Sequence, residues 1–141
     1  MSFSYNTLYG NDNNCSYEGG LIACGGAETC GVHSSNLFWG NMFGGTAMGA
    51  MPCPDQVYPY PATITYTLAE QTWAGVGNID GSLSGNDPRL GNPAAGDFKP
   101  SSGSPAIDAG DTDPAVVPAV DYYGNPRPVG RGPDIGAIEA E

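Results

Sequence analysis

The sequence predicts an all-β fold: a short parallel β-solenoid of about three coils with a loop-rich C-terminal capping segment. Three observations predict it. A β-like segment recurs at a spacing of 30 residues. No stretch shows helical periodicity beyond a single turn. The 22 glycines and 13 prolines, about a quarter of the 141 residues, punctuate a chain that is still 40% hydrophobic and 10% aromatic. Disordered chains lack that aromatic and β-branched content and carry denser charge.

The repeat begins at Tyr5-Asn-Thr-Leu-Tyr-Gly-Asn11 and returns as Ser35-Asn-Leu-Phe-Trp-Gly-Asn41. Asn6 matches Asn36, Leu8 matches Phe38, Tyr9 matches Trp39, and Asn11 matches Asn41. A weaker third copy, Thr65-Tyr-Thr-Leu68, places Thr67-Leu68 beneath Asn36-Leu37 at an offset of 31. Such a period is the signature of stacked repeats, each too small to bury its own apolar face. Leu8/Phe38 and Thr7/Leu37/Leu68 are expected to stack as interior ladders, and Asn6/Asn36 and Asn11/Asn41 as amide ladders at turns.

Two insertions interrupt the repeats, Asp12–Gly31 and Gly44–Pro61; prolines confine Val57–Pro61 to an edge or loop. Residues 1–100 are read as coils with Cys-containing loops, and 101–141 as the capping segment of the same domain. That segment holds Ser104–Gly110, Val120–Gly130 and Pro133–Glu139, short apolar bursts beside aspartates in Pro/Gly-rich chain that cannot propagate a helix.

The net charge of -11, with only Arg89, Lys99, Arg127 and Arg131 basic, leaves no basic patch for nucleic acid and disfavours anionic membrane surfaces. No apolar run approaches the length of a membrane span. Four cysteines, Cys15, Cys24, Cys30 and Cys53, fall in the first 53 residues, allow three disulfide connectivities, and point to an oxidising, extracytoplasmic setting. Met1-Ser-Phe-Ser starts directly in β-like sequence, so the expectation is an excised piece of a longer secreted protein or one whose export signal is not visible.

From residue 64 to 139 the chain resembles the C-terminal end of right-handed parallel β-helix proteins of the pectate-lyase-like superfamily, in particular secreted bacterial proteins with a choice-of-anchor type C-terminal region. The residues that carry this are Ile64–Leu68, the Gly77–Asp80 turn, Gly96-Asp-Phe-Lys-Pro100, Ser104-Pro-Ala-Ile-Asp-Ala-Gly110, Asp121–Arg127 and Asp134-Ile-Gly-Ala-Ile-Glu139. The looser Gly81–Leu90 stretch and Pro100 depart from the pattern. The resemblance implies a short right-handed parallel β-helix, an extracellular bacterial location, and kinship with polysaccharide lyases and hydrolases.

Such catalysis needs paired carboxylates, or an acidic calcium cluster with a basic residue, on adjacent coils. Segments 5–11 and 35–41 carry no Asp, Glu, Lys or Arg, which argues against a catalytic groove here. Asp108, Asp121 and Asp134 are expected to be held by Arg127 in a structural clamp. The competing reading is calcium on Asp108, Asp111 and Asp113, whose last two members alternate without an EF-hand loop; otherwise no cofactor is expected. Zinc on Cys24, Cys30, His33 and Cys53 has atypical spacing, so disulfides are preferred. Tyr9, Trp39 and Trp73, with Tyr58 and Tyr60, form either a stacked ladder or a polysaccharide-binding surface.

The first β segment has no capping helix ahead of it, so its edge is expected to accept another coil. The functional expectation is a non-catalytic extracellular assembly module that stacks through its N-terminal coil as a dimer or filament. The alternative is a carbohydrate-binding or carbohydrate-active β-helix.

Overall fold

A computed structural model describes residues 3–13, 31–43, 46–47, 63–70 and 73–140. Among these residues it is all-β in character, with parallel sheets and one short 3-10 turn at Pro93–Ala95. The first repeat contributes β1 (Phe3–Ser4), β2 (Thr7–Tyr9) and β3 (Asp12–Asn13). The second contributes β4 (Val32–Ser34), β5 (Leu37–Trp39) and β6 (Met42–Phe43). A hairpin partner, β7 (Thr46–Ala47), pairs antiparallel with β6. The third repeat supplies β8 (Thr63–Thr65) and β9 (Leu68–Ala69), followed by β10 (Ile79–Asp80).

Equivalent strands pair in parallel, in the register of the sequence repeat. Thr7, Leu8 and Tyr9 lie against Leu37, Phe38 and Trp39, and Leu37 lies against Leu68. The sheets run β1-β4-β8 and β10-β9-β5-β2. The segment Gly77–Asp80, read from sequence as a turn, supplies the fourth strand of the second sheet, with Ile79 opposite Leu68. A separate antiparallel pair, β11 (Leu90–Asn92) and β12 (Asp97–Pro100), follows.

Each repeat turns a corner through one left-handed residue: Tyr5 (φ 57), Ser35 (φ 58) and Tyr66 (φ 48). A non-glycine residue there is strained, and the residue after the first and third corners is held by an asparagine of the next segment in the stack. Asn36 Oδ1 accepts from the backbone and side-chain N–H of Asn6 at 3.1 and 3.2 Å, while Asn36 Nδ2 donates to Phe3 O. Asn41 does the same for Asn11, and Asn78 Oδ1 accepts from Thr67 N. The amides tie one repeat to the next.

Successive residues of a strand face opposite sides of the sheet. Leu37 and Leu68 therefore face one way and Phe38 and Ala69 the other, so the two ladders expected to share an interior lie on opposite faces. Leu37 and Leu68 are sealed by Ala106 and Ile135 of the C-terminal segment, in one cluster that joins the parts on either side of residue 100.

The C-terminal segment is not a lid over the last strand. Gly136 N bonds Ser35 O, Ala137 N bonds Thr7 Oγ1, and Asp111 N bonds Ser35 Oγ, so the tail runs along the sheet face back to the first repeat. The far edge is closed by a local turn instead, in which Leu83 N and Asn86 Nδ2 both donate to Asp80 O. The physical reason is the apolar face of Leu37 and Leu68, which needs covering more than a two-residue strand edge does.

Candidate functional site

The tail is fastened at its centre by Arg127 and Glu139. Their side chains are 0% and 1% exposed, and Arg127 Nε lies 2.7 Å from Glu139 Oε1. The Nε–H axis is turned off that oxygen, so the contact is an ion pair rather than an aligned hydrogen bond. Nη1 donates to Gly136 O at 3.1 Å, and the guanidinium carbon sits 4.6 Å from the centre of the Tyr5 ring. Tyr5 is the left-handed corner of the first repeat, so a cation–π contact links the tail to that corner. Burial pushes the Tyr5 hydroxyl up, against a lowering by Ser35 and Arg127. The hydroxyl donates to Asp111 O.

Main-chain amides supply most of the remaining carboxylate partners. Glu139 accepts from Asp134 N and Val129 N. Asp121 accepts from Tyr123 N, Asn125 N, Asn125 Nδ2 and Glu139 N. Burial alone would raise the Asp121 carboxyl, but these donors together hold it below its ordinary range. Asp134, fully buried, accepts from Asp108 N and Ala140 N, yet burial, with Glu139 and Asp108 nearby, leaves it raised.

This corrects the expected clamp. Arg127 pairs with Glu139, whereas Asp108, Asp121 and Asp134 are held chiefly by N–H groups. Only Asp121 takes these donors from its own turn, at Tyr123 and Asn125; Asp108 and Asp134 accept from amides of distant segments that the fold brings beside them. Asp108 Oδ1 takes the N–H groups of Arg131 and Gly132.

The aspartates of the calcium reading accept hydrogen bonds from within the protein. Asp111 accepts from Ser34 Oγ and Asp113 N, and Asp113 from Ala115 N. Among the described residues, no group of three or more His, Cys, Asp or Glu side chains is placed to hold a metal ion. Cys15, Cys24, Cys30 and Cys53, with Tyr58 and Tyr60, lie outside the described residues, and with them the disulfide and zinc readings.

Tyr9, Trp39 and Trp73 do not make one aromatic surface. Tyr9 packs on Phe98 with centroids 5.5 Å apart, and Trp39 is half-buried against the Leu37 cluster. Trp73 meets Phe38 edge-on at 5.9 Å, on the opposite face. The most exposed aromatics among the described residues are Tyr122 and Tyr123, at 76% and 59% exposure. They sit on the Asp121 turn beside a cleft of about 270 Å³ lined by Thr7, Phe98, Ala137 and Ile138.

That cleft adjoins the one open sheet edge among the described residues of the second sheet. Asn6 O and Gly10 N bond into the second repeat. By the alternation of a parallel ladder, the N–H and C=O of Thr7 and Tyr9 point away from it, where β2 has no described neighbour. Burial agrees: Asn36, Phe38 and Asn41 are buried, while Asn6 and Leu8 are half-exposed and Asn11 is exposed.

Sequence reasoning missed Glu139 and Tyr5 as the partners of Arg127. Glu139 was visible as the acidic residue that ends the closing motif Asp134–Glu139; nothing local to Tyr5 marks a contact with residues more than 100 positions away. Among the described residues no helix is long and apolar enough to cross a membrane. Comparison with family models, with curated proteins and with solved structures gives no match.

Proposed function

We propose that this chain is a structural and assembly module: a short right-handed parallel β-solenoid of about three coils that works outside the cell and self-associates through its first coil. The observation that carries the reading is the in-register parallel stack Thr7–Leu37–Leu68, closed at Asp80 and, among the described residues, open at β2. An open edge with unpaired main-chain groups is a ready template for another strand. Residues 3–11 carry no charged side chain, so that template is not protected by lysine or by inward-pointing charge. The pectate-lyase-like resemblance of residues 64–139 supports the solenoid reading. The tail carboxylates serve as acceptors for main-chain amides, an arrangement suited to holding a fold rather than to acid–base chemistry. Sedimentation velocity over a micromolar concentration series tests the assembly: a concentration-dependent increase in mass is expected, and a monomer throughout defeats it.

A second reading, a polysaccharide-binding β-helix, rests on the exposed Tyr122 and Tyr123 beside the Phe98 cleft. Affinity electrophoresis through neutral and acidic polysaccharides tests it. Retardation abolished by Tyr123→Ala would favour it; unchanged mobility in every gel removes it.

A further inference from the structure

The assembly reading leaves open whether copies close into a dimer or run on as a filament. We infer that the open β2 edge and the neighbouring Tyr122–Tyr123 turn form one self-complementary surface, on which a second copy of this chain docks by antiparallel pairing of β2 with β2 in a closed two-fold dimer. The inference rests on the assembly reading and adds its geometry.

Three observations converge. First, the two ends of the stack differ. A head-to-tail filament needs the β10 edge of one copy to meet the β2 edge of the next, and the outward carbonyl of Asp80 already receives Leu83 N and Asn86 Nδ2. With that end closed, β2 is left to meet β2, and a contact between identical patches is two-fold and self-limiting. Second, β2 is three residues long, with Thr7 and Tyr9 directing their main-chain groups outward. About a two-fold axis at Leu8, Thr7 of one copy faces Tyr9 of the other. Each such pair then exchanges both N–H···O bonds, as an antiparallel ladder requires.

Third, charge decides the partner. Two chains of net charge -11 repel, so copies can meet only where no acid is presented. Residues 3–11 have no charged side chain, and the adjoining cleft is lined by Thr7, Phe98, Tyr122, Tyr123 and small or aliphatic residues. The tail steps from Gly136 at Ser35 to Ala137 at Thr7, and Ala137 O takes Tyr122 N, which brings the tyrosine pair beside the β2 edge. Exposed tyrosines flanking an open strand supply apolar area to the contact that the strand makes through its main chain.

Sedimentation equilibrium on the full chain tests this, with circular dichroism confirming that each variant is folded. Tyr122→Asp and Tyr123→Asp put like charges across the two-fold and are expected to raise the dimer dissociation constant at least about tenfold. Leu83→Asp, at the closed end and 58% exposed, is expected to leave it unchanged. A mass that stops at two copies, with this pattern of variants, supports the inference. Species larger than dimers, or association broken by Leu83→Asp and not by the tyrosine variants, overturns the closed dimer while leaving self-association standing. A monomer at every concentration overturns both.

Discussion

Arg127 and Glu139 form an ion pair, with Nε and Oε1 2.7 Å apart, that is sealed from solvent on both sides. It joins the loop after the Asp121 turn to the closing motif, and its cation also covers the Tyr5 ring of the first repeat. Removing one member leaves the other charge buried, a situation far more costly than the pair itself is stabilising. Arg127→Ala is therefore expected to lower stability by about 3–5 kcal/mol, read by chemical denaturation. Arg127→Ala combined with Glu139→Gln is expected to lose less than the sum of the two single variants. Additive losses would mean that the pair is not coupled.

Asp121 gives the fold an acid limit. Its carboxyl lies below its ordinary value of 3.8 in the folded state. Its stabilisation is thus complete above that value and is lost as pH falls through the depressed folded value. In Asp121→Asn the new amide faces Glu139 N–H donor to donor, at a cost of about 1–3 kcal/mol. The gap in melting temperature between wild type and Asp121→Asn should be widest near neutral pH and close on acidification below the ordinary carboxyl range. A gap independent of pH would exclude the carboxylate as the cause. Asp134, raised rather than lowered, works in the opposite sense: its ionisation weakens the fold as pH rises through its raised value.

The 30-residue offset was legible because side chains with different tasks repeat together: amides at Asn6 and Asn36, aromatics at Tyr9 and Trp39. Parallel pairing then followed, including Leu37 against Leu68 across a one-residue change of offset. Which face the tail covers was not legible, since Leu37 and Phe38 are equally apolar and both are buried. The β10 strand was hidden because two residues flanked by glycine and asparagine show no alternation. The tail's role as a flank rather than an end cap depends on contacts such as Ala137 to Thr7, which no local pattern encodes. The clamp failed as read because a lone arginine among aspartates suggests ion pairs, whereas main-chain N–H groups reach them instead, from the same turn at Asp121 and from distant segments at Asp108 and Asp134.

Asn36 is fully buried and binds the first repeat through three hydrogen bonds. Asn36→Ala leaves Asn6 N without its acceptor and removes one of the donors to Phe3 O, which should loosen the first repeat more than the second. Amide exchange measured by NMR should rise at Tyr5 and Asn6 while Leu68 and Ile79 stay protected. Uniform loss of protection would contradict the rung-by-rung role of the amides.

Gly136 crosses the sheet at φ +107, and a Cβ there would meet Thr7 Oγ1 at 2.8 Å and Leu37 Cβ at 3.4 Å. Gly136→Ala is therefore expected to lift the tail off β2 and β5. Leu37→Ala leaves the tail in place and opens a cavity beneath Ile135, costing about 2–5 kcal/mol. Limited proteolysis should cut Gly136→Ala within residues 101–140 faster than wild type, and equal rates would argue against tail packing on the sheet face.

The most direct measurement is residue-resolved amide exchange at Thr7 and Tyr9 as protein concentration is raised. Their N–H groups point away from β5 and meet no partner strand among the described residues, so they are expected to gain protection when a second strand pairs with β2. Protection at these two residues that grows with concentration, while Leu37 and Leu68 are protected throughout, is the expected result. Exchange at Thr7 and Tyr9 that stays at the unprotected rate at every concentration would contradict assembly through the first coil.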